Sequence, residues 1–338
     1  MQKDFSTPPD SVEWYVDPTL KPLPIRSDLF LKKKLLTRSR TQIQGLFKKK
    51  RVLVNTKPVA ASFKLRGGET LCVLLDPDRE VVDSADIELN ILHEDDDFLA
   101  VSKPPNMVMH PAGSVTSGTL LNAVHYYYEN MGSEVRPSLL QRLDKHTSGL
   151  VVLPKNEKAH QTLQQQIVEH SNDKVYLAIC DGIPEKKEGF IEADLGKVEH
   201  PFVKKMGVYK EGTGGKYAKT GYTVLMKADG YALLGVKLYT GRQHQIRVHM
   251  AHIGHPLTGD GLYEGSDSLN RQALHSYYTC FKQPSSGNPC ELLAPLPHDM
   301  TLFLQDTSLN WQLCSEKLDL SHIPTLWNPR SWLDSFKA

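Results

Sequence analysis

The sequence predicts an α+β protein in which a small basic module precedes a larger body. In the body, stretches with the pattern of strands outnumber those with the pattern of helices, and they lack the regular strand–helix alternation of a parallel sheet. Charge is unevenly distributed: residues 25–66 contain 13 Lys or Arg and one acid, Asp28, in a chain of 338 residues whose net charge is +1. A basic module of this kind most often binds nucleic acid.

The composition excludes several other classes of protein. Hydrophobic residues make up 40% and charged residues 23% of the chain, which is ordinary for a globular protein in water. No apolar run is long enough to span a membrane, and the first residues lack the apolar core of a signal peptide. The five cysteines form no CxxC pair, so we expect a reduced, cytoplasmic setting without membrane contact.

Five consecutive regions are predicted along the chain. Residues 1–24 contain five prolines and are expected to be an extension with little regular structure. Residues 25–75 form the basic module, in which a helix around Leu29–Leu36 and a second helix capped by Ser39 precede a hairpin at Val52–Val59. The remaining regions are an acidic linker at 76–88, the body at 89–305 and a C-terminal extension at 306–338, whose tryptophans indicate packing.

The basic module resembles an S4 RNA-binding domain through Ser39-Arg40, the helix that follows and the hairpin. Lys50 and Thr56 stand where S4 domains commonly have glycine, so both positions are expected to need backbone angles that glycine adopts more easily. The alternative interpretation of the lysines is a solvated helix face. The resemblance implies RNA contacts, for which the candidates are Arg38, Arg40, Lys48, Lys49, Lys50, Arg51 and Lys57.

Hydrophobic periodicity predicts several elements of the body. Asn90–Val101 predicts two short strands around an acidic turn, and Thr119 is a candidate helix cap. Strands are predicted at Lys174–Cys180 and Tyr231–Leu238. Residues 157–170 predict a helix whose apolar face is formed by Ala159, Leu163, Ile167 and Val168.

The central feature of the body is Leu140–Leu153, where a polar, turn-forming segment leads into an apolar strand. Asp144 in this segment is a candidate reacting group, although an Asp followed by Thr, Ser and Gly is more often a turn or cap residue. The segment Arg142-Leu143-Asp144-x-x-Thr147-Ser148-Gly149-Leu150 resembles the signature of the RluA family of RNA pseudouridine synthases, in which the Asp is the essential catalytic residue. The usual motif has His where this chain has Gln141.

The resemblance runs from about residue 26 to residue 300 and implies an active site. Asp144 is the implied acid, Tyr176 the tyrosine that lies against the target uracil, and Arg247 the basic residue that pairs with the acid. From the local pattern alone, Tyr176 is equally consistent with a core strand residue and Arg247 with a surface cation. Further RNA contacts are predicted for Arg142, Lys103 and Arg242.

The implied fold is a large, bent, mostly antiparallel sheet flanked by helices, and the implied activity is isomerisation of specific uridines to pseudouridine. Large-subunit ribosomal RNA is the implied substrate. Transfer RNA, or a non-catalytic role in RNA binding or ribosome assembly, are the alternatives. No cofactor is needed and no obligate protein partner is evident. His249 and His252 would share a helical face, a spacing that metal sites use, but the resemblance explains this stretch without a metal.

Overall fold

The computed structural model describes residues 11–35, 40–74, 85–111, 115, 117–169, 171–200, 205–210 and 212–309. Arg38, Ser39, most of the acidic linker and the C-terminal extension from residue 310 lie outside the described residues. Contacts divide the chain into two units, 1–83 and 84–338, each described by itself below. The predicted domain boundaries stay predictions. In the described ranges, no helix is both long enough and apolar enough to cross a membrane.

The first unit is a small module of short strands and two helices. Its described elements are β1 Ser11–Tyr15, β2 Ile25–Arg26, α1 Ser27–Lys34, α2 Arg40–Lys48, β3 Val52–Val54, β4 Lys57–Pro58, β5 Lys64–Leu65 and β6 Thr70–Leu74. Four strands form a sheet in the order β1-β6-β3-β4, and β2 pairs with β5. Phe30 and Leu31 of α1 and Ile43 of α2 are buried in one core, so the helices leave their lysines on the exposed side.

The N-terminal extension is not irregular throughout, so the expectation for residues 1–24 is wrong at Ser11–Tyr15. β1 pairs antiparallel with β6, from Ser11 opposite Leu74 to Tyr15 opposite Thr70. The valine and aromatic residues of β1 suit an edge strand. Their partner lies at the other end of the unit, which a local pattern does not reveal.

Two residues of this module adopt the left-handed backbone conformation, as predicted. The φ angle is +56° at Lys50, after the end of α2, and +71° at Thr56, in the turn between β3 and β4. Asn55 has a φ of +47°, so both central residues of the hairpin turn are left-handed, as a type I′ turn requires. The conformational prediction is confirmed at both positions, whereas the S4 resemblance itself stays a prediction.

The second unit is built on one ten-stranded sheet. Its described elements are β7 Asn90–Glu94, β8 Phe98–Lys103, α3 Leu120–Asn130, β9 Ser148–Pro154, α4 Glu157–Val168, β10 Asp173–Asp181, β11 Glu188–Val198, β12 Lys205–Tyr209, β13 Lys216–Ala228, β14 Tyr231–Leu238, α5 Gln245–His252, β15 Leu274–Lys282, β16 Pro289–Leu293 and α6 His298–Asp306. The strand order is β12-β11-β13-β14-β10-β15-β9-β8-β7, with β16 paired to β15. Within the described strands, every pairing is antiparallel except that of β9 with β15. The predicted α+β class and mostly antiparallel sheet are confirmed.

Helices cover both faces of this sheet. Ile246 and Met250 of α5 pack in one core with Tyr176, whereas Met300 of α6 packs with Val175 in another. Because adjacent side chains on a strand point to opposite faces, α5 and α6 lie on opposite sides of β10. The face with α5 carries the candidate site.

The helix predictions for the body hold with one exception. Thr119 caps α3 in a reciprocal arrangement with Asn122, as expected, and α4 buries Ala159 and Leu163. Val168 was assigned to the same apolar face, and this is wrong because the residue is 72% exposed. It follows Ile167 directly and therefore points about 100° away around the helix.

Gly149 allows β9 to approach β15 closely. Its φ angle is +107°, and a Cβ at this position would lie 2.2 Å from the carbonyl oxygen of Ser276. The two strands pair here in parallel, with Gly149 opposite Ser276. Any side chain would separate them, and the loop before β9, which carries Asp144, would move with the strand.

Candidate active site

Asp144 lies on a short loop that leads into β9. The amide of Thr147 donates a hydrogen bond to the carbonyl of Asp144 at 3.1 Å, which closes a turn. Thr147 and Ser148 are buried, but the Asp144 side chain is 28% exposed and can meet a ligand. The segment therefore forms the turn that its sequence favours, and it also leaves the Asp144 carboxylate accessible to a ligand.

Two buried cations hold the loop immediately after Asp144. The ammonium of Lys103 donates to three backbone carbonyls, including that of Lys145 at 3.2 Å. One guanidinium nitrogen of Arg271 donates to the carbonyl of His146 at 3.0 Å. The Arg271 guanidinium is always charged, and hydrogen bonds from charged donors are stronger than those between neutral groups. Together with the three hydrogen bonds of Lys103, this contact fixes the backbone on which Asp144 stands.

The prediction that Lys103 contacts RNA is corrected by its burial. Lys103 lies at the end of β8 and is only 1% exposed. Burial lowers the pKa of Lys103 to about 7, the charge of Arg271 adds to this, and the charge of Asp144 opposes it. Since its ammonium is directed at protein carbonyls, Lys103 is part of the scaffold under the loop.

Arg247 joins Asp144 to a second carboxylate. Its Nη1 lies 3.2 Å from Oδ2 of Asp144, and its Nε and Nη2 each donate to Asp260 at 2.7 Å. Burial by itself would lower the pKa of Arg247, but the hydrogen bonds and charges of Asp260 and Asp144 raise it above its usual value. Arg247 is 7% exposed, so the alternative of a surface cation is wrong.

The start of α5 places Arg247. His244 adopts a left-handed conformation just before the helix, and its Nε2 lies 3.8 Å from Oδ2 of Asp144. Its Nδ1 contacts the hydroxyl of Tyr263 at 2.9 Å. Burial lowers the pKa of His244, with Asp144 acting in the opposite direction. The ring of Tyr263 also lies 5.0 Å from the Arg247 guanidinium, so it packs against both residues.

Tyr176 lies on β10 beside this cluster. It is 6% exposed and belongs to the core that includes Ile246, so the core interpretation of Tyr176 is correct as far as packing goes. Burial and then the nearby charge of Asp144 raise the pKa of Tyr176 to about 12, against an opposing hydrogen bond with Ser276. The phenol is therefore protonated at neutral pH and offers an uncharged aromatic ring next to the acid.

The structure thus brings Asp144, Tyr176 and Arg247 together from three separate segments. Arg142 and Arg242 are exposed, and Nε of Arg242 donates to the carbonyl of Tyr217 at 3.0 Å. Their contacts with RNA stay predictions. The same holds for the candidates of the first unit, where Arg51 is half-buried and the exposed residues are Arg40, Lys48, Lys49, Lys50 and Lys57.

Three residues of the cluster were missed by the sequence analysis. Asp260 holds Arg247, Tyr263 packs against it, and Arg271 fixes the loop, itself paired with Asp299 at 2.6 Å and 2.9 Å. Asp260 and Tyr263 lie in a polar turn shortly after α5. An acid in such a turn, close in sequence to a predicted catalytic arginine, is the signal that could have identified this pair.

The histidines of α5 do not converge. His249 is fully buried and its Nδ1 contacts the hydroxyl of Thr220 at 2.9 Å, and burial lowers its pKa to about 4. His252 is exposed. Among the described residues, no group of three or more His, Cys, Asp or Glu is placed to hold a metal ion.

Comparisons with known proteins agree with this geometry. Residues 97–252, which contain all three converging residues, match the family model described as RNA pseudouridylate synthase. An uncharacterized RNA pseudouridine synthase of Chlorobaculum parvum is 36% identical over 307 residues, or 83% of this chain and 94% of the relative. Ribosomal large subunit pseudouridine synthase D of Neisseria meningitidis serogroup B is 35% identical over 328 residues, or 93% of this chain and 84% of the relative.

A solved structure supports the fold. Human RNA pseudouridylate synthase domain containing 4 superposes with a TM-score of 0.53 at 22% identity, covering 64% of this chain and 92% of that chain. At this level of identity the likeness concerns the fold alone.

Proposed function

The chain belongs to the family of RNA pseudouridine synthases, and from this premise we propose that it modifies large-subunit ribosomal RNA with Asp144 as the reacting group. The reaction breaks the C1′–N1 bond of a uridine, turns the base and rejoins it through C5. No atom is gained or lost, so the chemistry itself calls for no redox cofactor.

The observation that carries the proposal is the shared guanidinium of Arg247. Nε and Nη2 donate to the Asp260 carboxylate and fix the guanidinium, and the remaining nitrogen, Nη1, donates to Oδ2 of Asp144. The contact of His244 also falls on Oδ2. Both neighbours therefore approach one oxygen of Asp144, and Oδ1 is the oxygen that we assign to the sugar of the target nucleotide.

Tyr176 is assigned to the base. A neutral aromatic ring stacks on a uracil with little regard to its edge, which suits a base that must turn before it is rejoined. The target has to leave its stack to reach Asp144, at a cost of a few kcal/mol. The exposed cations Arg142 and Arg242 would offset this cost by contacts with the RNA backbone.

Large-subunit ribosomal RNA is favoured as the substrate for two reasons. Relatives named ribosomal large subunit pseudouridine synthase D, including that of Neisseria meningitidis, align along most of this chain. The exposed lysines of the first unit suit a large structured RNA, whose shape can be recognised through its backbone. A cytoplasmic location follows from this substrate and is part of the proposal.

The decisive test is to map pseudouridines in RNA from cells that lack the protein. Because pseudouridine and uridine have equal mass, mapping relies on chemical derivatisation of the modified base. We expect at least one site in large-subunit ribosomal RNA to be lost, and to be restored by wild-type protein but not by Asp144→Asn.

The exposed Asp267 provides the matched control, and Asp267→Asn should restore the site fully. Loss of a site in transfer RNA instead would contradict the ribosomal assignment. Restoration by Asp144→Asn would contradict the role of Asp144, and unchanged modification with defective ribosome assembly would favour the non-catalytic alternative.

A further inference from the structure

A pocket lies beside the loop that carries Asp144. Its walls are the segment Leu140–Leu143, α4 through Leu163 and Ile167, and β15 through Phe281. The pocket opens to solvent on one side. Apolar walls with a few polar groups among them are typical of ligand sites.

The polar residues that line this pocket are Gln141, Arg142, Asn172, Lys174 and Thr279. The Lys174 ammonium donates to Oε1 of Gln141, and both residues line the pocket. Burial lowers the pKa of Lys174 to about 8. An ammonium has three donors and a glutamine amide both donates and accepts, so the pair has capacity left for a ligand. Gln141 is the position at which this chain departs from the family motif.

The pocket lies next to Tyr176, the residue assigned to the target base. Lys174 precedes Tyr176 by two residues on β10, so both side chains point to the same face. Two residues of a strand span about 6.6 Å, whereas stacked bases lie ~3.4 Å apart. A base in the pocket would therefore lie close to a uridine placed at Tyr176 without being stacked on it, as expected for an adjacent nucleotide once the target uridine has left the stack.

We infer that this pocket receives the nucleobase adjacent to the target uridine in the substrate RNA. Leu163, Ile167 and Phe281 would contact the ring, and Gln141 and Lys174 would hydrogen-bond to a carbonyl on its edge. Arg142, exposed at the same segment, supplies positive charge where the backbone must enter. The inference rests on the proposed placement of the uridine between Asp144 and Tyr176, and it makes the pocket a determinant of sequence preference.

The test fills the pocket and removes the base separately. Ile167→Phe places a larger side chain in the pocket, whereas Val168→Phe adds the same ring at the next residue, which is 72% exposed and does not line it. The substrate is a short RNA around the uridine identified by mapping, together with versions in which the nucleotide before or after that uridine is abasic. The initial rate of pseudouridine formation at low RNA concentration gives kcat/KM.

We expect one of the two abasic RNAs to lose about tenfold or more in kcat/KM with wild-type enzyme, since the loss of base–aromatic stacking has effects of this size. Ile167→Phe should lose a similar factor on intact RNA and almost nothing further on that abasic RNA. Val168→Phe should behave as wild type. Gln141→Ala should reduce discrimination between bases at the same position, with Gln165→Ala on the exposed face of α4 as its control.

Two results would overturn the inference. One is wild-type kcat/KM unchanged by either abasic substitution. The other is a loss in Ile167→Phe that is equal on intact and abasic RNA, which would show a general effect on folding. Because the substrate RNA is chosen by mapping, this test does not depend on the assignment to ribosomal RNA. A wrong role for Asp144 would be detected separately, as activity of Asp144→Asn.

Discussion

The two carboxylates that share Arg247 should respond very differently to the same substitution. Asp260 is 2% exposed and receives two hydrogen bonds of 2.7 Å. Removing one partner of a buried ion pair costs about 3–5 kcal/mol, because the other charge stays buried. The Asp144 side chain is 28% exposed and meets Arg247 through one contact of 3.2 Å, and such partly exposed pairs contribute up to about 1 kcal/mol.

We therefore expect Asp260→Asn to lower the free energy of unfolding by about 3–5 kcal/mol and Asp144→Asn to change it by no more than about 1 kcal/mol. Turnover should show the reverse order. Asp144→Asn should abolish it, whereas Asp260→Asn should slow it by about 100-fold, since displacement of a positioning group by about 1 Å has effects of this size.

Urea unfolding at neutral pH measures the stabilities, and single-turnover pseudouridine formation measures the chemistry. RNA affinity should stay close to wild type in Asp144→Asn. The reasoning is refuted if Asp260→Asn is as stable as wild type, or if Asp144→Asn is destabilised as strongly as Asp260→Asn.

Three further predictions concern scaffold, RNA binding and metal. Lys103 has a pKa of about 7 in the folded protein against 10.5 as the ordinary value, so between these pH values the unfolded chain binds more protons. The contribution of Lys103 to stability should therefore rise by up to about 5 kcal/mol across this window. Burial also lowers the pKa of Lys174 to about 8, so the rise should be reduced, but not abolished, in Lys103→Met, as pH-dependent urea unfolding would show. Replacing Lys48, Lys49 and Lys50 by Gln should reduce the slope of log affinity against log salt by about 0.7–0.9 for each RNA phosphate that these lysines neutralise, whereas an unchanged slope would indicate a solvated face. Activity should survive exhaustive chelation, and stoichiometric bound zinc whose removal abolishes activity would contradict this.

Sequence reasoning reached the three converging residues through the family resemblance, because the local pattern alone favoured a turn residue at Asp144 and left Tyr176 and Arg247 undecided. Asp144 is marked by its loop and following apolar strand, and α4 and β14 by their hydrophobic period. The resemblance selected Tyr176 and Arg247 from among equally ordinary strand and helix residues. These inferences needed only short segments, so they could be made without knowing which segments meet.

The supporting contacts could not be predicted in this way. Arg271 reaches the carbonyl of His146, and Lys103 reaches that of Lys145, both across long stretches of sequence. A lysine followed by proline predicts an exposed cation as readily as a buried one, and the predicted RNA contact of Lys103 failed for this reason. Only the pairing of β8, β9 and β15 determines that both cations end beneath the same loop.

If Asp144 is the reacting group, as proposed, these buried side chains explain how an ordinary loop can serve a demanding reaction. A carboxylate on a mobile turn would have to be ordered each time RNA binds, at an entropic cost. Here the backbone after Asp144 is held by Lys103 and Arg271, and the side chain is held at Oδ2 by Arg247. The geometry is therefore set before the substrate arrives, which is where preorganised electrostatics contribute most to catalysis. The binding energy of the RNA can then be used to unstack the uridine rather than to order the enzyme.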